Sequence, residues 1–156
     1  MVKKSDELEQ KKFVIRVNRI IGKLKHYYQI QDALLQNGFK KKAEGGFKAV
    51  FKHSDYGYCV KVWLNPYGYM SDSYHVPEEI KHHFVHPIFK NKRYMIQKWI
   101  KRKASEGGYR SRIKTLPKNH RIEWENKYDV WIDNIRVDGD REVIIDFCYQ
   151  SSECSL

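Results

Sequence analysis

Two stretches decide how this chain is read: Tyr128-Asp129-Val130-Trp131-Ile132-Asp133-Asn134-Ile135 and, shortly after, Val143-Ile144-Ile145-Asp146-Phe147. The pattern is an Asp, an Asn five residues later, and a second Asp at the end of an apolar strand. That combination suits phosphoryl transfer from a magnesium nucleotide. The first Asp can orient an attacking hydroxyl and take its proton, while the Asn and the second Asp supply hard oxygen ligands for Mg²⁺. Val130 to Val137 and Glu142 to Phe147 are rich in β-branched and aromatic residues, and Asp138-Gly139-Asp140 lies between them. This spacing predicts a hairpin whose apolar second strand holds Asp146 rigidly. Read on their own, the same residues also fit a small α+β domain in which Asp129 and Asn134 are turn residues and Asp146 merely ends a strand.

Towards the N-terminus the period changes. Residues 6–36 place Phe13, Val17, Ile20, Ile21, Leu24, Tyr27, Tyr28, Leu34 and Leu35 at steps of three and four, which predicts one long helix or two joined ones packed on the domain that follows. Ser5 or Asp6 is the expected cap, and Asn37-Gly38 the stop. Phe47 to Phe51 and Tyr58 to Trp63 then read as an antiparallel hairpin turning at residues 53–57. Pro77 with Glu78 and Glu79 suits the start of a helix running through Ile80 and Phe84 and ending near Pro87. Ile88-Phe89 and Arg93 to Ile100 read as two more strands. Residues 101–127 are polar and basic, with hints of short helical pieces only, and 151–156 read as a tail.

In this order the motifs resemble those of the protein-kinase-like superfamily, and in particular its small bacterial effector-type kinases and pseudokinases. The family's catalytic loop, H-R-D-L-x-x-x-N, corresponds to Lys127-Tyr128-Asp129-Val130-Trp131-Ile132-Asp133-Asn134, with Asp and Asn in place and His and Arg replaced. Its D-F-G corresponds to Asp146-Phe147-Cys148. Glu44-Gly45-Gly46-Phe47-Lys48-Ala49-Val50 is similar to a worn Gly-rich loop, and Cys59-Val60-Lys61-Val62 resembles V-A-I-K. The resemblance implies that Lys61 holds the α/β-phosphates of ATP and that Glu78 or Glu79, with Glu79 preferred, pairs with Lys61. It implies that Gly45 and Gly46 approach phosphate and that the backbone at Lys98 and Trp99 contacts adenine. It gives Asp129 the hydroxyl, and Asn134 and Asp146 the Mg²⁺. Ten residues follow Asp146, so the family's activation segment and A-P-E have no counterpart in this sequence.

The expected fold is therefore a reduced kinase-like α+β fold. It comprises a helical extension over 1–37, a small lobe over 38–100 with an antiparallel sheet and one helix, and a truncated large lobe over 101–150. The expected activity is a Mg-ATP-binding phosphotransferase acting on a protein or other hydroxyl acceptor. The alternatives are a pseudokinase scaffold that binds a partner protein, and a basic nucleic-acid-binding module.

Composition bounds these readings. At 156 residues the chain suits one domain, and 41% hydrophobic with 14% aromatic residues is too apolar for a disordered chain. No apolar run reaches the length of a membrane span, and the N-terminus lacks the apolar stretch of a secretory signal. Cys59, Cys148 and Cys154 are odd in number and lack metal or redox spacing, so reduced thiols in a cytoplasmic protein are expected. The net charge of +11 favours anionic partners, among them nucleotides, nucleic acid and acidic proteins. His82 and His86 have the i, i+4 spacing of a metal pair, but solvated histidines at a helix end are the simpler expectation.

Overall fold

The computed structural model describes residues 4–65, 78, 81–105, 135–139 and 141–145. The chain is α+β, and it divides into two compact units, Met1–Tyr69 with His86–Trp99, and Met70–Val85 with Ile100–Leu156.

In the first unit, helix α1 (Lys4–Ile21) buries Phe13, Val17 and Ile21, one turn apart along a single face. It stops at Gly22, where any Cβ would lie 2.3 Å from the Asn18 carbonyl oxygen. The expected single stripe is thus split, and helix α2 (Tyr27–Gln36) starts afresh after an extended His26. Ser5 and Asp6 fall inside the first turn of α1 rather than capping it, and Asp6 and Glu7 there complement the positive helix end. Helix α2 buries Ile30 and Leu34, whereas Tyr28 and Leu35 of the expected stripe are exposed. It ends as expected. Asn37 donates its backbone N–H to the carbonyls of Ala33 and Leu34 and its side-chain amide to Ala33, and Gly38 follows at φ +86°.

Five antiparallel strands follow: β1 (Phe39–Glu44), β2 (Lys48–His53), β3 (Tyr58–Trp63), β4 (Phe89–Lys90) and β5 (Tyr94–Lys98). Their spatial order is β1-β2-β3-β5-β4. Residues opposite one another in a ladder leave the same face. The register therefore sets Ala49, Phe51, Val60, Val62, Tyr94 and Ile96 on one face. These residues form a common core with Phe13, Val17, Ile21, Ile30 and Leu34, so both helices cover this face. Phe13 sits at its centre, with ring centroids 5.1–6.2 Å from Tyr56, Tyr58 and Phe39.

The helices are also tied to β5. The Arg93 guanidinium donates to the carbonyls of Gly22 (2.7 Å) and Leu24, satisfying backbone left open where α1 ends. The Tyr94 hydroxyl hydrogen-bonds to the Asn18 side chain. Asn91 shapes the β4–β5 turn by accepting from the backbone N–H groups of Arg93 and Tyr94 at 2.8 and 2.9 Å.

In the second unit, β6 (Ile135–Asp138) and β7 (Arg141–Ile144) form the hairpin expected from the sequence. Gly139 stands first in the turn with φ +67°, as a mirror-image turn requires. Residues 102–104 run beside β6, with Val137 N–H donating to the Arg102 carbonyl (2.8 Å) and Ala104 N–H to that of Ile135 (3.2 Å). On the other side Phe84 bridges Ile144, and Val85 N–H donates to the Ile144 carbonyl at 2.8 Å.

That last pairing corrects the expected helix through Ile80 and Phe84. The described part is a single 3₁₀ turn at Lys81–His83, after which the backbone pairs with β7. His86 precedes Pro87 and the β-branched Val85 precedes His86, and both features favour extended backbone over a continued helix. His82 and His86 are exposed, while His83 between them is buried, its ring 4.1 Å from that of His82.

Candidate functional site

The second face of the five-stranded sheet is built by the alternate residues. Lys61 stands opposite Val50 on β2 and Met95 on β5, and Cys59 stands opposite Lys52 and Gln97. Lys48 pairs with Trp63, Lys40 with Lys52, and Lys90 with Met95, so all of these leave the face that α1 and α2 do not cover. Among the described strand residues this face carries lysines and no carboxylate, because Glu44 pairs with Ala49 and lies on the helix side.

Lys61 is 3% exposed, as deeply placed as its apolar neighbours Cys59 and Trp63. Burying an ammonium is costly, and lysine is among the residues least often found fully buried. Lys52 is also partly withdrawn from water. Its ammonium donates to the carbonyls of His53 (2.5 Å) and Tyr56, which closes the β2–β3 turn. Burial lowers its pKa below the ordinary lysine value, and the nearby charge of Lys42 acts in the same direction.

Gly45 and Gly46 occupy the β1–β2 turn. Gly45 N–H donates to the Lys48 carbonyl at 2.8 Å, and the Phe47 carbonyl accepts from Leu64 N–H at 2.8 Å, which anchors the turn to the end of β3. A Cβ at Gly46 would meet nothing within 4 Å, and one at Gly45 only the Lys48 carbonyl oxygen at 4.0 Å. Packing among the described residues therefore requires glycine at neither position, and what their small size leaves open is access to the backbone.

The strand entering this turn is held from the helix side. The Lys41 ammonium bonds the Glu44 carboxylate at 2.5 Å and the Gln31 side chain at 3.1 Å, and the Tyr27 hydroxyl donates to Gln31 at 2.9 Å. The hydrogen bond from Lys41 lowers the Glu44 pKa, and the same bond raises that of Lys41.

Lys98 ends β5 and Trp99 follows it as the last residue of the first unit. Trp99 N–H donates to the Gly57 carbonyl at 2.9 Å. That bond makes Tyr58 and Lys98 a non-hydrogen-bonded pair, so the Lys98 peptide groups are directed away from β3.

Of the residues named from the sequence, Gly45, Gly46, Lys61, Lys98 and Trp99 are thus placed on one sheet and its connections. Glu79, Asp129, Asn134 and Asp146 lie outside the described residues. No group of three or more His, Cys, Asp or Glu that could hold a metal ion occurs among the described residues, and the expected Mg²⁺ ligands Asn134 and Asp146 are not among them. Nor is any helix there long and apolar enough to cross a membrane. The sequence reading missed Lys48, Lys52 and Lys90 as companions of Lys61. The period-two spacing of Lys48, Val50 and Lys52 carried that signal for β2.

No protein-family model, curated protein or solved structure matches the chain.

Proposed function

We propose that this chain is a kinase-like Mg-ATP-binding phosphotransferase acting on a hydroxyl acceptor. The observation that carries the reading is Lys61, buried on a lysine-bearing sheet face whose turn at one end is Gly45-Gly46. A face whose described strand residues carry lysines and no carboxylate attracts a polyphosphate. A buried lysine fixed by flanking strands is a preorganised phosphate ligand, because its geometry does not have to be ordered when the nucleotide arrives. The exposed Gly45-Gly46 turn would approach the phosphates, with Gly46 rather than Gly45 offering its amide, since the Gly45 N–H is already committed to the Lys48 carbonyl. The Lys98 peptide, turned away from β3, is the backbone that would meet adenine, since the Trp99 N–H is already committed to Gly57.

The remaining chemistry is assigned from the sequence pattern. Asn134 immediately precedes Ile135, and Asp146 follows two residues after Ile144, the two strand residues paired at the open end of the β6–β7 hairpin. Bound Mg²⁺ would neutralise the charge of the transferring phosphoryl group, with Asn134 and Asp146 as its protein ligands. Asp129 would orient the acceptor hydroxyl and accept its proton, and Glu79 would hold Lys61 in position.

The test is incorporation of ³²P from labelled Mg-ATP into the protein itself and into a generic protein acceptor. Lys61→Met and Asp146→Asn serve as controls. Incorporation that both substitutions abolish supports the reading, and activity that survives both removes it. Saturable ATP binding without turnover would instead make the chain a pseudokinase scaffold.

A further inference from the structure

Helix α1 has a second apolar margin that the core does not use. Ile15 is 56% exposed and Leu8 52% exposed. Ile15 borders two shallow grooves along the helix. The first, of about 570 Å³, is lined by Glu7, Gln10, Lys11, Val14, Ile15 and Ile88. The second, of about 530 Å³, is lined by Ile15, Asn18, Arg19, Ile20, Lys23 and Leu24. Val14, Ile20, Leu24 and Ile88 are partly buried and packed on the core, so the grooves are floored by side chains held by the unit, with Ile15 standing between them.

The charge around this floor has one sign over most of its length. Between Gln10 and Lys25 the sequence holds Lys11, Lys12, Arg16, Arg19, Lys23 and Lys25 and no carboxylate. Arg16 is turned to the Tyr56 ring, 5.6 Å from its centroid, while Lys11, Arg19 and Lys23 border the grooves. We infer that this face of α1 docks an acidic amphipathic helix from a partner protein. Its apolar side chains would enter the Val14–Ile15–Ile20–Leu24 floor, and its carboxylates would meet Lys11, Arg19 and Lys23. A second copy of the chain fits the surface poorly, because it would set one basic margin against another. A lipid surface also fits it less well, since an anionic bilayer sets negative charge along the whole face, including beside Glu7 in the first groove, whereas a helix can place its carboxylates opposite Lys11, Arg19 and Lys23 alone. The surface lies on the helix side of the sheet, away from the face that carries Lys61, so the inference stands independently of the nucleotide reading.

The test is selection of helical peptides from a randomised displayed library against the full chain. Selected peptides are then measured by fluorescence anisotropy on the wild type, on Ile15→Glu, and on the double variant Arg19→Glu/Lys23→Glu. Both variants change exposed positions, and circular dichroism checks that they fold. The expected result is enrichment of peptides alternating acidic and apolar residues at helical spacing. Their affinity should fall about tenfold or more in each variant, and also as salt is raised from low to physiological. Enrichment without acidic bias, or peptides that bind both variants as well as the wild type, would overturn the inference. So would binding to phosphatidylserine vesicles that depends on Ile15 in the absence of any such peptide, because that assigns the surface to a membrane.

Discussion

Lys61 on β3 stands directly across the ladder from Val50 on β2, and both side chains leave the sheet face that α1 and α2 do not cover. The opposite face is closed by a continuous core centred on Phe13. The sheet thus has one side closed by the helices and one that carries buried and exposed lysines beside the buried Cys59, Trp63 and Met95.

Phe13 is fully buried and contacts three aromatic rings from β1, β3 and the turn between β2 and β3. Phe13→Ala should destabilise the chain by about 3–5 kcal/mol, as other large-to-small core changes do. The midpoint of urea unfolding measures this. A loss under about 1 kcal/mol would mean that α1 is not part of the sheet's core.

Arg93 joins the end of α1 to β5 through two carbonyls, and a planar fork is needed to reach both. Arg93→Ala should cost about 1.5–3 kcal/mol, the range for hydrogen bonds from charged donors. Arg93→Lys should restore little of it, because an ammonium lacks the fork. Comparing the two variants by thermal unfolding separates this geometry from a simple effect of charge.

Gly38 is required by its conformation. It has φ +86°, and a Cβ there would lie 2.8 Å from His53 Nε2. Gly38→Ala should destabilise by about 1–2 kcal/mol from backbone strain alone. Calorimetry should show a melting temperature lower by roughly 2–8 °C.

The Lys41–Glu44 bond next to the glycine turn should be visible in its titration. The Glu44 pKa is lowered, chiefly by the hydrogen bond from Lys41, so its stabilising effect is complete above the ordinary value of 4.5 and fades as pH falls through the lowered folded value. The Lys41 pKa is raised by the same bond, so its effect is complete below 10.5 and is lost as pH rises through the raised folded value. NMR titration of the Glu44 carboxylate should give a pKa below 4.5 in the wild type, moving upward in Lys41→Ala.

Much of the architecture could be read from the sequence because particular residues carry strong local signals. Asn37-Gly38 marked the end of α2, alternating β-branched and aromatic residues marked β2, β3 and β5, and Asp138-Gly139-Asp140 marked the β6–β7 turn. Strand β1 gave no such signal. Its Phe39-Lys40-Lys41-Lys42-Ala43-Glu44 has one buried residue, a pattern suited to an edge strand protected by lysine rather than to a core strand. The helix expected through Phe84 failed because capping residues report only local preference, while pairing of Val85 with Ile144 is a long-range contact. At the candidate site, the strand position of Lys61 was legible from Cys59-Val60-Lys61-Val62. Its burial and its lysine neighbours were not, because they depend on the register of three strands. The expected kinase-like fold remains a reading of motif order, and Asp129, Asn134 and Asp146, on which it rests most heavily, lie outside the described residues.

The most direct measurement of the central claim is isothermal titration of Mg-ATP and of adenosine into the wild type and Lys61→Met, with circular dichroism confirming the fold of the variant. The account predicts saturable ATP binding by the wild type and an ATP affinity at least about tenfold weaker in Lys61→Met, a loss of about 1.4 kcal/mol or more. Adenosine binding should be unchanged, because Lys61 is assigned to the phosphates. A wild type that does not bind Mg-ATP, or a Lys61→Met variant that binds it equally well, would contradict the assignment.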